Sequence, residues 1–247
     1  MKEKVCIFLL LLGAVVIIIV SIMFDYNHNK SEKVQSTYKI AHKDAKDLLD
    51  PGRDYLIVVN NQKVYSFAGS YEKELQDDLV YFPNAVDGDI MAAEKAAYLA
   101  FTSLQYELKN SDGIEIALYD GYRTAEDQEF INSLYDDGSS NVTNQTEAGY
   151  SEHHTGLLLD VVIWFSEDGE NYEWYSPSHE RLVTIPEFKT VYKKMVDYGF
   201  IMRYPDEKSD ITGMKDKEYE IRFVGSAEVA HKIMDSGLCL EEYVDNN

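Results

Sequence analysis

Residues 5–24, VCIFLLLLGAVVIIIVSIMF, run for twenty positions without a charge, and this stretch restricts the chain more than any other. A helix rising about 1.5 Å per residue crosses roughly 30 Å in that length, the thickness of a bilayer hydrocarbon core. Cleaved signal peptides have shorter apolar regions and small residues before the cut. Here the run continues through Met23 and Phe24 into Asp25, which predicts an uncleaved anchor. Lys2 and Lys4 precede it, so the positive-inside rule puts the short N-terminus in the cytoplasm and the bulk of the protein outside the membrane. Cys6 falls inside the run and leaves only Cys239, so no intrachain disulfide is expected. The outer part must be held together by its own core.

Residues 25–50 are polar and read as a stalk. Asp50-Pro51-Gly52 is a chain breaker that sets the start of a folded domain over 51–247, long enough for one ordinary core. With 44 acidic against 23 basic residues and a net charge of -21, nucleic acid is disfavoured as a partner.

Pattern reading predicts a strand over 55–59 (YLIVV) and a turn over 60–63. It predicts a helix over 87–110 with Asp89 as N-cap, then a half-buried strand over 114–118. A helix follows from Thr124 to a stop at Gly138. LLLDVVIWF (157–165) reads as a buried strand and 187–198 as a helix ended by Gly199. EIRFV (220–224) reads as an alternating strand, and Ala227–Ser236 as a helix closed by Gly237. Helices and strands mix without regular alternation. The predicted class is therefore α+β, a small mixed or antiparallel sheet with flanking helices, preceded by one transmembrane helix.

The chemistry-bearing stretch is GYSEHHTGLLLD (149–160). His153 and Asp160, with a glycine turn between them and a strand after it, can bring imidazole and carboxylate together as ligands of a metal such as zinc. On spacing alone, a loop histidine and a strand-end aspartate with ordinary hydrogen bonds are the commoner case.

DGYRT (120–124), GYSEHHTGLLLD, YGFIMRYP (198–205), DITG (210–213) and IRFVG (221–225) occur in this order. Together they resemble the VanY-type D-alanyl-D-alanine carboxypeptidases, zinc enzymes that remove the terminal D-alanine of cell-wall peptides. The resemblance covers residues 55 to about 244. It implies a peptidoglycan stem peptide ending in D-Ala-D-Ala as partner and zinc as cofactor. Ser151, His153, Gly156 and Asp160 match the family's first metal motif, with His153 and Asp160 on two ligand positions. His154, beside a ligand, matches a variable position. Arg123 matches an arginine that faces the substrate, where its guanidinium fork suits a carboxylate or an oxyanion. Gln128 is a weaker substrate-side candidate.

The family's last motif, Glu-Pro-Trp-His, falls in ungapped register on Lys217, Glu218, Tyr219 and Glu220. The third ligand becomes Glu220, which zinc accepts. The general base becomes Lys217, which is protonated at its usual pKa of roughly 10.4 and cannot take a proton. A loop shift would bring Glu218 to the base position on the same strand face as Glu220. Without metal, Asp160 and Glu220 balance Lys217 and Arg123, which predicts an ammonium bridging both carboxylates in the region of the metal. Two readings stay open: a zinc carboxypeptidase, and a non-catalytic module that binds peptidoglycan peptides.

Overall fold

One strand with two chemically different faces organises the domain. In the computed structural model, residues 49–135, 146–176 and 184–247 are described; the anchor, the stalk up to residue 48 and the helix stop at Gly138 lie outside them. Among the described residues no helix is long and apolar enough to cross a membrane.

The order is α1 (Ser70–Asp78), β1 (Leu79–Pro83), β2 (Ile90–Glu94), α2 (Lys95–Glu107), β3 (Ile116–Asp120), α3 (Ala125–Tyr135), β4 (Leu158–Phe165) and β5 (Glu173–Tyr175). Then come α4 (Pro186–Met195), β6 (Phe200–Met202), α5 (Ser209–Thr212), β7 (Glu220–Phe223), α6 (Ala227–Ser236) and α7 (Leu240–Asp245). β1 and β2 form a separate antiparallel pair. The main sheet runs β3-β4-β7-β6, with β5 also pairing β4, and every pairing is antiparallel. The structure thus has the expected α+β class, with the sheet antiparallel throughout.

Along β4, Leu159, Val161 and Ile163 enter the core with Ile116 and Leu118 of β3 and Ile221 and Phe223 of β7. Phe101 and Leu104 of α2 and Phe188 and Val191 of α4 belong to the same cluster. Because side chains alternate across a strand, Leu158, Asp160, Val162 and Trp164 share the opposite face, as do Glu220 and Arg222 on β7.

Local signals set the helix ends. Thr124 and Asp127 cap α3 reciprocally, with Thr124 N donating to Asp127 Oδ2 at 2.9 Å and Asp127 N to Thr124 Oγ1 at 3.1 Å, as a capping box does. Ser226 caps α6, and left-handed Gly237 closes it. The 187–198 expectation corresponds to α4 plus a tight turn ended by Gly199.

Three expectations are corrected. YLIVV forms no strand: residues 55–59 are turn and irregular chain, because the Ile57 carbonyl accepts from Arg222 Nη2 at 2.9 Å instead of from a strand neighbour. The 60–63 turn is present, closed by an Asn60 and Lys63 bridge. The helix predicted over 87–110 begins at Lys95. Its first part is β2, whose hydrogen-bond partners come from β1, and its N-cap is Glu94, accepting from Ala97 N, rather than Asp89. β7 is buried at every position instead of alternating, because its polar side chains are covered by ion pairs.

Candidate metal centre and cleft

Strand register assembles the site. Asp160 lies opposite Glu220 on β7 and opposite Asp120 on β3, so three carboxylates form a row across the sheet. His153 comes from a single 3-10 turn, Glu152–Thr155, ended by Gly156 at φ 68°. A Cβ on Gly156 would lie 3.0 Å from Glu94 N, whose N–H donates to the Gly156 carbonyl. Position 156 therefore needs glycine both for its backbone conformation and for that close approach.

His153 Nδ1 lies 2.6 Å from the Gly121 carbonyl, which fixes the proton on Nδ1 and leaves a lone pair on Nε2. Nε2 stands 3.4 Å from Asp160 Oδ1. His153 Nε2, Asp160 Oδ1 and Glu220 Oε2 are all buried without a hydrogen-bond partner, and the three residues each offer a ligand atom within 4.8 Å of the others. Three acceptors facing one another cannot satisfy each other, and leaving them so is costly. A divalent cation resolves this: with bonds of about 2.0–2.1 Å, neighbouring tetrahedral ligands sit about 3.4 Å apart. His153, Asp160 and Glu220 fit a metal ion.

The other oxygens face cations. Asp160 Oδ2 is 3.7 Å from Arg123 Nη2, and Glu220 Oε1 accepts from Lys217 Nζ at 2.7 Å. The expected bridge is therefore half formed. Lys217 pairs with Glu220 and makes no ion pair with Asp160, so it flanks the ligand cluster instead of filling it. Burial opposes the Lys217 charge, yet the Glu220 carboxylate outweighs it and holds the ammonium above the ordinary lysine range. Burial, followed by the Arg123 charge, keeps His153 neutral, the form that ligates. Burial, then the neighbouring Glu220, pushes Asp160 up. Burial also raises Glu220, against Lys217.

Arg123 is positioned on three sides. Its Nε donates to Asp120 Oδ2 at 2.8 Å and its Nη1 to Gln128 Oε1 at 3.2 Å, while its backbone carbonyl meets His154 Nδ1 at 2.7 Å. His154 is fully buried, accepts from Gly149 N at 3.0 Å and packs against Tyr65 and Phe67. It braces the loop that carries Arg123 and does not line the cleft. Ser151, Arg123, Gln128, His153, Asp160, Lys217 and Glu220 all line one cleft of about 840 Å³. Glu218 does not. β7 starts only at Glu220, so Glu218 sits in the preceding turn, buried, with its carbonyl accepting from Tyr192 Oη.

Sequence reading passed over the floor of the site. Glu152 is clamped by Arg203 Nε and Arg222 Nε, each at 2.6 Å, and Arg203 forks onto Glu241. The signal was present: both arginines stand inside the quoted motifs YGFIMRYP and IRFVG. Tyr119, Tyr150, Tyr204 and Tyr219 also line the cleft.

A family model described as VanY D-alanyl-D-alanine carboxypeptidase matches residues 91–226. A D-alanyl-D-alanine carboxypeptidase of Enterococcus faecalis is 31% identical over 154 residues, covering 57% of this chain; the match spans about half of that relative's length, 51%. The bifunctional D-Ala-D-Ala dipeptidase and carboxypeptidase VanXYC of Enterococcus gallinarum is 33% identical over 150 residues, 56% of this chain and 72% of the relative. Among solved structures, the vancomycin-resistance D,D-pentapeptidase VanY in complex with Zn(II) superposes with a TM-score of 0.56 at 25% identity, covering 78% of this chain and 99% of the other. Similarity over more than half of the sequence, carried on a shared fold, means that this chain belongs to the VanY D-alanyl-D-alanine carboxypeptidase family.

Proposed function

We propose that this chain is a membrane-anchored, extracytoplasmic protein whose cleft binds the D-Ala-D-Ala end of peptidoglycan stem peptides around a zinc ion, with hydrolysis suppressed at Lys217. The observation that carries this reading is the 2.7 Å contact of Lys217 Nζ with Glu220 Oε1. Where the family resemblance expects a carboxylate base, an ammonium stands, already paired with a ligand residue. The anchor is supported by residues 5–24 and the lysines before them, and the ligand by the names of the relatives.

His153, Asp160 and Glu220 would hold the metal, which when bound supplies a Lewis acid that polarises the scissile carbonyl and activates water. The chain's own residues supply the rest. Arg123, held by Asp120 and Gln128, presents a preorganised guanidinium to a substrate carboxylate or carbonyl oxygen. Hydrolysis also needs a group that takes a proton and returns it to the leaving amine, and such groups contribute about 10²–10⁴ in rate. Lys217 remains protonated beside Glu220, so it attracts anionic substrate groups without accepting that proton. Glu218 is outside the cleft lining. Binding is retained, and proton abstraction is the missing step.

The test is D-alanine release from a pentapeptide by the full chain, beside the Lys217→Glu, Glu220→His double variant. The wild-type rate is expected to be lower by about 100-fold or more. Wild-type turnover equal to that of the variant overturns the reading.

A further inference from the structure

β4 carries the site face beyond the metal centre. Asp160, Val162 and Trp164 share that face, and Trp164 lies opposite Trp174 on β5. Ser176, two residues past Trp174 and on the same face, lines the cleft. The cleft lining thus ends two residues from a cluster of three aromatic rings, which stands beyond it. Trp164 and Trp174 meet edge to face with centroids 5.1 Å apart, and Trp164 lies nearly parallel to Tyr172 at 6.2 Å. Trp164 and Tyr172 are 40% and 52% exposed, which is unusual for rings of this size packed together on a strongly charged protein.

From Asp160 to Trp164 is four strand residues, about 13 Å. A stem peptide of about five residues reaches at most about 17 Å when extended. With its C-terminus at the metal centre, the sugar that bears the stem would arrive at these rings. Aromatic faces are electron-rich, and the C–H face of a pyranose is their chemical complement. The platform presents no cationic side chain of its own to favour an anionic polymer.

We infer that the Trp164, Tyr172 and Trp174 cluster is a glycan subsite that stacks an N-acetylhexosamine ring of the peptidoglycan backbone. This inference rests on the proposed binding of the stem peptide in the cleft.

The chain contains two tryptophans, both in this cluster, so tryptophan emission excited selectively over the 19 tyrosines reports on the platform alone. The full chain is titrated with three probes: the free pentapeptide, the disaccharide-pentapeptide and chitotetraose. The disaccharide-pentapeptide is expected to bind about tenfold more tightly than the pentapeptide and to change the tryptophan emission. In Trp164→Ala and in the more exposed Tyr172→Ala variant, calorimetric affinity for the disaccharide form should fall to that of the pentapeptide, itself unchanged. Equal affinities in the wild type, or a preference that survives both substitutions, overturn the subsite and leave the peptide reading standing. If the pentapeptide does not bind at all, the peptide reading fails, and chitotetraose decides the platform: an emission change supports it, and none overturns it.

Discussion

Lys217 and Glu220 show how little a residue name says without its geometry. The carboxylate of Glu220 is divided, with Oε1 on the ammonium and Oε2 buried without a hydrogen-bond partner. Lys217 is thus a partner of a ligand and not an occupant of the ligand cluster. This distinction predicts that Lys217→Met keeps zinc, because all three ligand residues remain. Its metal-free form should lose roughly 2–3 kcal/mol in urea unfolding, since an unpaired buried carboxylate is left behind. His153→Ala should fail to retain zinc after dialysis. If Lys217→Met instead gains metal that the wild type lacks, the ammonium occupies the metal's place. At this scale His153, Asp160 and Arg123 were legible because their motifs stand in order, and Glu220 was legible by register. The split of its two oxygens was not, because it depends on χ angles set by neighbours far apart in sequence.

At the scale of elements, β4 was written in the sequence as an apolar run broken only by Asp160, and that run placed the strand correctly. β1 and β2 were missed because five residues of strand joined directly to α2 continue its apolar pattern, and only the pairing with β1 distinguishes the two. YLIVV had strand composition without a strand partner. The C-terminal helix α7 is held by Glu241 to Arg203 at 2.7 and 2.9 Å. Burial opposes the Glu241 charge, but Arg203 wins and holds the carboxyl below its ordinary range. The folded state therefore binds that proton less readily than the unfolded chain does. The resulting stability is present above the unfolded value of about pH 4.3 and is lost as the pH falls through the depressed folded value. Glu241→Gln should cost about 3 kcal/mol near neutrality, with the difference from wild type shrinking in strong acid, as measured by urea midpoints at each pH. A difference independent of pH would show that packing, not charge, docks the helix.

The whole molecule couples site to stability, because the three orphaned ligand atoms lie on β4, β7 and the turn that precedes β4. A ligand that joins them favours the folded state by mass action. Removing zinc with a chelator should lower the thermal midpoint of the full chain by several degrees, about 2–4 °C for each kcal/mol at this size. An unchanged midpoint would mean that no metal is held there. The acidic balance was legible from composition, whereas the meeting of distant strands was not. One smaller feature has a role in time rather than in space. Cys239 is the N-cap of α7, buried, and its thiol is pushed up to about 11 chiefly by that burial. It stays inert while α7 is docked and becomes reactive only when α7 lifts away. Its rate of modification then counts those openings, so this thiol acts as a clock for the looseness of the domain's last helix.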